Sequence, residues 1–414
     1  MKKTTSVWKM LLLNAYWVGL SFKWNALHPI ILPAVLLNYV PDAQKNTVLG
    51  LMTFAGLIIA MIVQPLSGWL SDRWVSRFGR RRPLIVIGTL FDFVFLSILG
   101  WAGGLTWLVI GYLGLQFSSN IAHGPAQGLL PDRVAPQKLG LASAIKTVVD
   151  MAALIVASLA AGNLLDPASR DPARVLIVVM AVMFVSTLIT VLFTPEEPTS
   201  AETVQRAALA ARQTQAARPR PDFKAHASYW WLIAERFLFL FGIYGIQQFA
   251  QYYIGDVLKA ENPVQATGNL MAALTVGLLI LALTGGWLAD RLGAKRVLAA
   301  ASLLTGLGCL LLLLADTVGM LTLYGSVVGA GVGLFLTANW ALANRLAPAE
   351  NAGLFIGLTN IATAGSGAVG RLWGPVLDAL NRPAAGIWTG YTSMFIVGAL
   401  CTAASALLLT KVKE

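Results

Sequence analysis

Apolar residues in this chain come in long runs, and the polar residues between them come in short, charged clusters. A helix needs about 20 apolar residues to cross a bilayer. By that measure the pattern predicts about twelve helical spans, at 8–38, 46–70, 83–101, 105–131, 139–163, 174–194, 229–256, 266–289, 296–315, 318–345, 352–378 and 387–410. Runs such as Val297 to Ala315 do not alternate in polarity, which argues against membrane strands of about ten residues. Pro29 and Pro33 fall inside the first span and predict a kink there. From 195 to 228 the pattern turns polar, opening with Pro195-Glu196-Glu197-Pro198 and carrying Arg206, Arg212, Arg218, Arg220 and Lys224. Ala201 to Ala217 predict a short surface helix, stopped by Arg218-Pro219-Arg220-Pro221. The chain thus divides into a first six-helix domain, 1–194, a linker, 195–228, and a second six-helix domain, 229–414.

Composition sharpens this picture. Of 414 residues, 57% are hydrophobic and 12% charged, whereas a soluble domain carries about 25% charged residues. The chain therefore reads as an all-α, multi-pass membrane protein. The net charge of +11 would suit nucleic acid, but the basic residues sit in loops, 20 on the linker side of the spans and five on the other. That bias places the linker and both termini in the cytoplasm, in an inner membrane, and leaves no nucleic-acid partner to expect. Met1-Lys2-Lys3 is followed by an apolar run too long for a cleaved signal and lacking a small-residue cleavage site. Cys309 and Cys401 lie inside apolar runs, which implies neither a disulfide framework nor a metal site. No phosphate-binding Gly-x-x-x-x-Gly-Lys-Ser/Thr, Gly-x-Ser-x-Gly or His-Glu-x-x-His occurs. Asp42, Asp166, Asp171, Asp256 and Glu261 are scattered in outer loops without a partner base. An ATP-driven pump and an enzyme are both disfavoured, and no cofactor is expected.

One short sequence occurs twice. Gly68-Trp69-Leu70-Ser71-Asp72-Arg73 ends the second span, and Gly286-Trp287-Leu288-Ala289-Asp290-Arg291 ends the eighth, about half the chain further on. Repeated halves characterise secondary transporters, whose solute site lies near the bilayer midplane. The doubled Gly-x-x-x-Asp-Arg loop resembles the major facilitator superfamily. The second copy, continuing through Gly293, Lys295 and Arg296, has that superfamily's usual spacing. The first copy departs from it: Trp74-Val75-Ser76 separate Asp72-Arg73 from Arg77-Phe78-Gly79-Arg80-Arg81-Arg82-Pro83. This longer form, with Leu129-Leu130-Pro131-Asp132 after the fourth span, resembles the branch of sucrose transporters and glycoside–pentoside–hexuronide carriers. The resemblance implies twelve transmembrane helices in two repeated six-helix bundles, acting as a monomer.

The loop residues invite a mechanical reading. Asp72 and Asp290 stand at inner helix ends beside cations, where a carboxylate pairs with arginine and accepts helix N-terminal amides. Gly68, Asp72, Arg73, Gly79, Arg80, Arg81, Gly286, Asp290 and Arg291 are the gating candidates. For Arg77, Arg80, Arg81 and Arg82 the competing role is to set topology and bind anionic headgroups.

Ionisable residues at membrane depth cost about 2.5–3.5 kcal/mol each on insertion scales and normally face water or a partner. Lys146 and Asp150 are spaced i, i+4, near the middle of the fifth span, with Ser143 and Thr147 on the same stripe. They read equally as a proton carrier with its ammonium partner and as a static pair. Lys23 and Asp92 join them as coupling candidates, Asp92 also reading as a packed residue bonded to the second or fourth span. Glu235 and Arg236, within two turns of the inner end, read as snorkelling to the interface.

Amide and aromatic stripes supply solute candidates. They are Trp24, Asn25 and His28 in the first span and Gln116, Asn120, His123 and Gln127 in the fourth. Tyr244, Gln247, Gln248 and Gln251 follow in the seventh, and Thr337, Trp340 and Asn344 in the tenth. Amides both donate and accept, as sugar hydroxyls require, although the same groups serve as glue between helices. Proton-coupled uptake of a sugar or glycoside is the first expectation, efflux of amphipathic compounds the second, and sodium coupling stays open. The small residues Gly365, Gly367, Gly370 and Gly374 in the eleventh span read as helix packing.

Overall fold

The computed structural model describes residues 4–206, 209, 226–348 and 351–413. Helices dominate. The first expected span is broken into α1 (Val7–Leu13), α2 (Ala15–Ala26), a π turn (Leu27–Ile31) and α3 (Leu32–Leu36). The π turn contains Pro29, and Pro33 opens α3, so the expected disruption falls at the two residues that lack an N–H. Next come α4 (Lys45–Asp72), α5 (Arg82–Trp101), α6 (Leu105–Arg133), α7 (Leu139–Leu164) and α8 (Ala173–Phe193). After the linker follow α9 (Ala227–Asp256), α10 (Pro263–Leu292), α11 (Ala294–Leu312) and α12 (Val318–Leu346).

The eleventh expected span is not continuous. It splits into α13 (Ala352–Arg371) and α14 (Trp373–Leu380). Pro375 explains the break: it cannot donate to the Arg371 carbonyl four residues earlier, and that freed carbonyl faces Gly50 of α4, where a Cβ would collide with it. A two-residue ribbon, Asn381–Arg382 against Ile387–Trp388, leads into α15 (Thr389–Leu408). In the linker, 201–206 are helical. The rest of the expected surface helix, but for residue 209, and its Arg-Pro stop lie outside the described residues.

Among the described residues, nine helical stretches are long and apolar enough to cross a membrane. α6 is not one of them, since Gln116, Ser118, Ser119, Asn120, His123 and Gln127 dilute its hydropathy. The surface is inside-out by the standards of a soluble protein: Leu283, Leu407 and Leu323 are 71%, 70% and 64% exposed. Side chains of that kind are stable facing lipid.

Contacts divide the chain into two compact units. One comprises Met1–Ile31 and Ala55–Ala217, the other Leu32–Phe54 and Arg218–Glu414. In the first unit Met10, Leu13, Tyr16, Trp17, Leu20, Ile85 and Met183 form a buried cluster with alanines of α6 and α7. In the second, Phe239 stacks on Phe335 at 3.6 Å. There α12 approaches α10 so closely that a Cβ at Gly329 or Gly333 would strike the carbonyls of Leu274 and Leu278. Gly370 of α13 packs closely on Gly245 and Tyr244 of α9, as the sequence led us to expect, while Gly367 meets the Tyr244 ring in ordinary contact.

The second unit also holds α3 and the first part of α4. Lys45 Nζ bonds Asp256 Oδ1 at 2.6 Å, and the Tyr391 hydroxyl donates to Asp256 Oδ2 at 2.7 Å. Asp256 is therefore not the isolated outer carboxylate that its position in the sequence suggested. Asp378 takes the Asn46 side-chain amide at 2.8 Å and the Thr47 backbone N–H at 2.6 Å, satisfying the start of α4.

Candidate functional site

The first unit gathers polar residues of α2, α5, α6 and α7. Lys23 and Asp92 are fully buried and joined at 2.5 Å. Asp92 Oδ1 also accepts the hydroxyls of Ser118 at 2.5 Å and Ser119 at 2.8 Å, and Lys23 Nζ reaches Ser119 Oγ at 2.5 Å. Asp92 is bonded to the fourth span, one of the two expected partners, and to Lys23 besides. Every group in this pair is satisfied, the condition under which buried charge is tolerated.

The second pair is more open. Asp150 Oδ2 takes Lys146 Nζ at 2.7 Å, the expected i, i+4 contact, with side chains 18% and 30% exposed respectively. Asp150 Oδ1 takes the Ser21 hydroxyl at 2.8 Å. The Lys146 ammonium sits 3.8 Å from the Trp17 ring centroid, and Trp17 meets His123 edge-on. Lys23 does not approach Asp150, because Asp92 holds it.

Beside these pairs lies an aromatic and amide wall. Trp24 stacks on His28 at 4.8 Å, and His28 Nε2 lies 3.1 Å from the Tyr112 hydroxyl. Gln116 Nε2 donates to that hydroxyl at 2.7 Å. Trp24, Asn25 and His28 are partly exposed, and Asn25 donates to the Ser21 carbonyl. The expected α6 stripe divides. Asn120 is buried and donates to the Gln116 carbonyl, and its own carbonyl accepts Ser67 of α4, so it ties helices together. His123 bonds Gln127, which is exposed.

In the second unit, Glu235 and Arg236 are 0% and 3% exposed. They do not snorkel. Asn339 holds both, donating to Glu235 Oε2 at 2.9 Å and accepting Arg236 Nη1 at 2.6 Å. Arg236 Nε donates to Thr363 at 2.8 Å, and its guanidinium faces Trp340 at 5.1 Å. The reason is local: this turn of α9 packs against α12 and α13, whose polar side chains meet it there. Tyr244 and Gln247 are partly exposed, Gln248 and Gln251 are buried, and Asn344 is exposed. Thr337 donates to the Ala282 and Gly333 carbonyls, bridging α12 to α10.

The two repeated loops fold alike around their tryptophans. Arg73 lies over Trp69 at 4.2 Å and Arg291 over Trp287 at 4.4 Å. Asp72 pairs with Arg81 at 2.7 Å and with Arg80 at 4.0 Å, not with Arg73. Asp132 takes Arg80 at 2.8 Å and Arg81 at 3.0 Å. The arginines first read as topology residues are therefore the ion-pair partners. Asp290 pairs with Arg345 at 3.1 Å. The amides that open α5, Arg81 and Arg82, are accepted by Glu196 rather than by Asp72. The start of the linker delivers Glu196, through a backbone bridge between Ser76 and Thr199. Gly79 permits the turn with φ of +91°, a conformation that resists any side chain. A cleft of about 390 Å³ lined by Asp72, Arg80, Asp132, Arg133, Glu196 and Glu197 opens beside this network.

Arg81→Ala is expected to lower stability by about 1.5–3 kcal/mol, the worth of charge-assisted hydrogen bonds. Arg73→Ala removes an exposed cation–π contact worth about 0.5–1 kcal/mol. Thermal unfolding of the two variants in detergent checks the order.

Sequence reasoning missed Asn339, Thr363, Ser118, Ser119, Tyr112 and Ser21. Ser118-Ser119-Asn120 is a polar triplet in an apolar helix, and neighbours point about 100° apart, so a stripe drawn through Asn120 passes over the hydroxyls that face Asp92. Asn339 adjoins Trp340 for the same reason.

These arrangements define a helical protein with several membrane-length apolar helices and with ion pairs buried among them. The family whose members are described as MFS/sugar transport protein matches residues 22–372, and the chain belongs to that family. Sucrose transport protein SUC4 of Arabidopsis thaliana is 29% identical over 130 residues, 28% of this chain and 25% of that protein. Sucrose transport protein SUT4 of Oryza sativa subsp. indica is 26% identical over 165 residues, 34% of this chain and 27% of that protein. The matched stretch thus spans about a quarter of the length of these relatives. Among solved structures, the POT family transporter PepTSo superposes with a TM-score of 0.73 at 15% identity, over 99% of this chain and 98% of that one. A mutant of the nucleoside transporter NupG gives 0.71 at 15% identity, over 98% and 100%. At such identities the likeness is one of fold. The family and these relatives are transporters, not enzymes.

Proposed function

We propose that this chain carries a sugar or glycoside across the cytoplasmic membrane by proton-coupled alternating access. The observation that carries the reading is the Lys146–Asp150 pair, partly exposed and set beside Trp24, His28, Tyr112 and Gln116. A carboxylate that trades an ammonium for a proton changes its charge as its surroundings change. Trp24 and Trp340 offer ring faces to a sugar's CH groups, and Asn25, His28, Gln116, His123, Gln247 and Asn344 offer hydrogen bonds. The buried Lys23–Asp92 pair orders α2 against α5 and α6. The family description and the names of the sucrose relatives support a sugar as the solute.

The same reading takes the helices as twelve crossings in two six-helix repeats, 1–194 and 229–414, joined by the linker. Both termini are cytoplasmic, and the working unit is a monomer. Asp72, Arg80, Arg81 and Asp132 latch the inner end, with Asp290 and Arg345 as the counterpart in the second half.

The test is uptake into proteoliposomes under an imposed proton gradient, using the disaccharide that most raises thermal stability in a panel. Inward accumulation supports the proposal. Saturable dye extrusion indifferent to every sugar rejects it in favour of efflux.

A further inference from the structure

Three carboxyls are set deep among the helices, and their surroundings differ in kind. Asp92 has Lys23 and two hydroxyls. Asp150 has Lys146 and one hydroxyl. Glu235, fully buried, has no cation within ion-pair distance among the described residues. Its Oε2 accepts the Asn339 amide, and its Oε1 has no hydrogen-bond partner.

An ionised carboxylate so placed would be a buried, unpaired charge, costing several kcal/mol. A neutral acid avoids that cost, with Oε2 as the carbonyl accepting from Asn339 and Oε1 bearing the hydrogen. Asn339 fits this assignment from its other side: its oxygen is already taken by Arg236, so only its NH2 is left for Glu235. The charged neighbour is Arg236 on the same helix, with Tyr229 and Tyr244 about two turns away on either side along α9. The helices packed on α9 present Asn339 and Trp340 from α12 and Thr359 and Thr363 from α13. They also present Met271 from α10 and Cys401 from α15, the last at Gly242. Two further cations stand on elements that pack on α9: Arg371 at the end of α13, whose guanidinium donates to the Gly367 carbonyl beside Tyr244, and Lys411 in the turn after α15; neither forms an ion pair with Glu235.

We infer that Glu235 is a second proton-binding site of the transporter, occupied in the conformation described here and linked to the solute through Asn339, Arg236 and Trp340. The inference rests on the proton-coupled reading above and adds a carboxyl in the second unit to Asp150 in the first. Loss of the proton from Oε1 to water leaves a carboxylate that attracts the Arg236 guanidinium. Arg236 then leaves Thr363 and the face of Trp340, which alters the ring platform offered to a sugar. Linkage makes the effect mutual: a sugar on Trp340 changes the proton affinity of Glu235.

Two measurements test this. The first is the infrared C=O band of a protonated carboxyl in the purified protein, which needs no solute. The band is expected at neutral pH and is expected to vanish in Glu235→Gln. In Asn339→Ala, which keeps Glu235 but removes its amide donor, the band is expected to move to higher frequency. The Asn339 variant decides the matter if the glutamine variant fails to fold. A spectrum without the band, or one unchanged by both substitutions, overturns the site whatever the transport result.

The second is accumulation of radiolabelled sucrose in proteoliposomes. One proton fewer per cycle lowers the accumulation ratio about tenfold for each unit of imposed pH gradient, the loss expected of Glu235→Gln. Wild-type accumulation in that variant overturns the coupling role. If wild-type vesicles ignore the gradient while the band behaves as expected, Glu235 stands as a proton site and the proton-driven reading falls.

Discussion

Asp92→Ala is expected to lower the unfolding free energy of the purified protein by about 3–5 kcal/mol, the range for removing one member of a buried pair. The size follows from the surroundings. Lys23 is at 0% exposure, and its polar partners among the described residues are Asp92 and Ser119. Removing the carboxylate strands an ammonium inside the helices and leaves Ser118 only its longer bond to the Leu115 carbonyl. Replacing both members, Lys23→Met with Asp92→Leu, removes the charges together and is expected to recover most of the loss, since apolar replacement of a whole buried pair is often neutral. Thermal unfolding in detergent reads both variants. A single variant as stable as wild type would show that water reaches the pair.

Asp150→Asn carries the second large effect. The amide keeps the shape and still bonds Ser21, but it cannot exchange a proton against Lys146. Gradient-driven accumulation should fall about tenfold for each unit of imposed pH difference, since one pH unit is worth 1.36 kcal/mol per proton. Combined with Glu235→Gln, the vesicles should reach equal concentrations and go no further. Uptake by Asp150→Asn that follows the gradient as in wild type would remove Asp150 from the coupling machinery and leave the fold-based assignment intact.

Helix positions were legible because they depend on length and polarity, which lie along one dimension of the chain. α4, α5 and α12 begin and end within one or two residues of the expected ranges. The break at Leu372 was missed because Pro375 acts on the carbonyl four residues before it, and no polar residue marks the spot. Local pairs were legible for the same reason: Lys146 and Asp150 share a helix face at fixed spacing. Pairs between helices were not. Nothing in the periodicity says that Lys23 turns to Asp92 rather than to Asp150, or that Asn339 bridges Glu235 and Arg236. Depth was the misleading guide for Glu235 and Arg236. Nearness to a helix end suggested escape to the interface, but burial depends on which neighbouring helix stands there.

The pairing of Leu32–Phe54 with residues near the far end of the chain sets an order of assembly. Asn46 is made early, yet its partner Asp378 follows 332 positions later. At about 5–20 residues per second of synthesis, the ribosome needs on the order of tens of seconds to supply it. During that interval the opening amides of α4 have only water or the insertion machinery to bond, while Lys45 has Asp42 beside it and gains Asp256 earlier. A nascent chain released before α14 would therefore hold this segment through Asp256 and Tyr252 of α9 alone, with the amides that open α4 still unmatched.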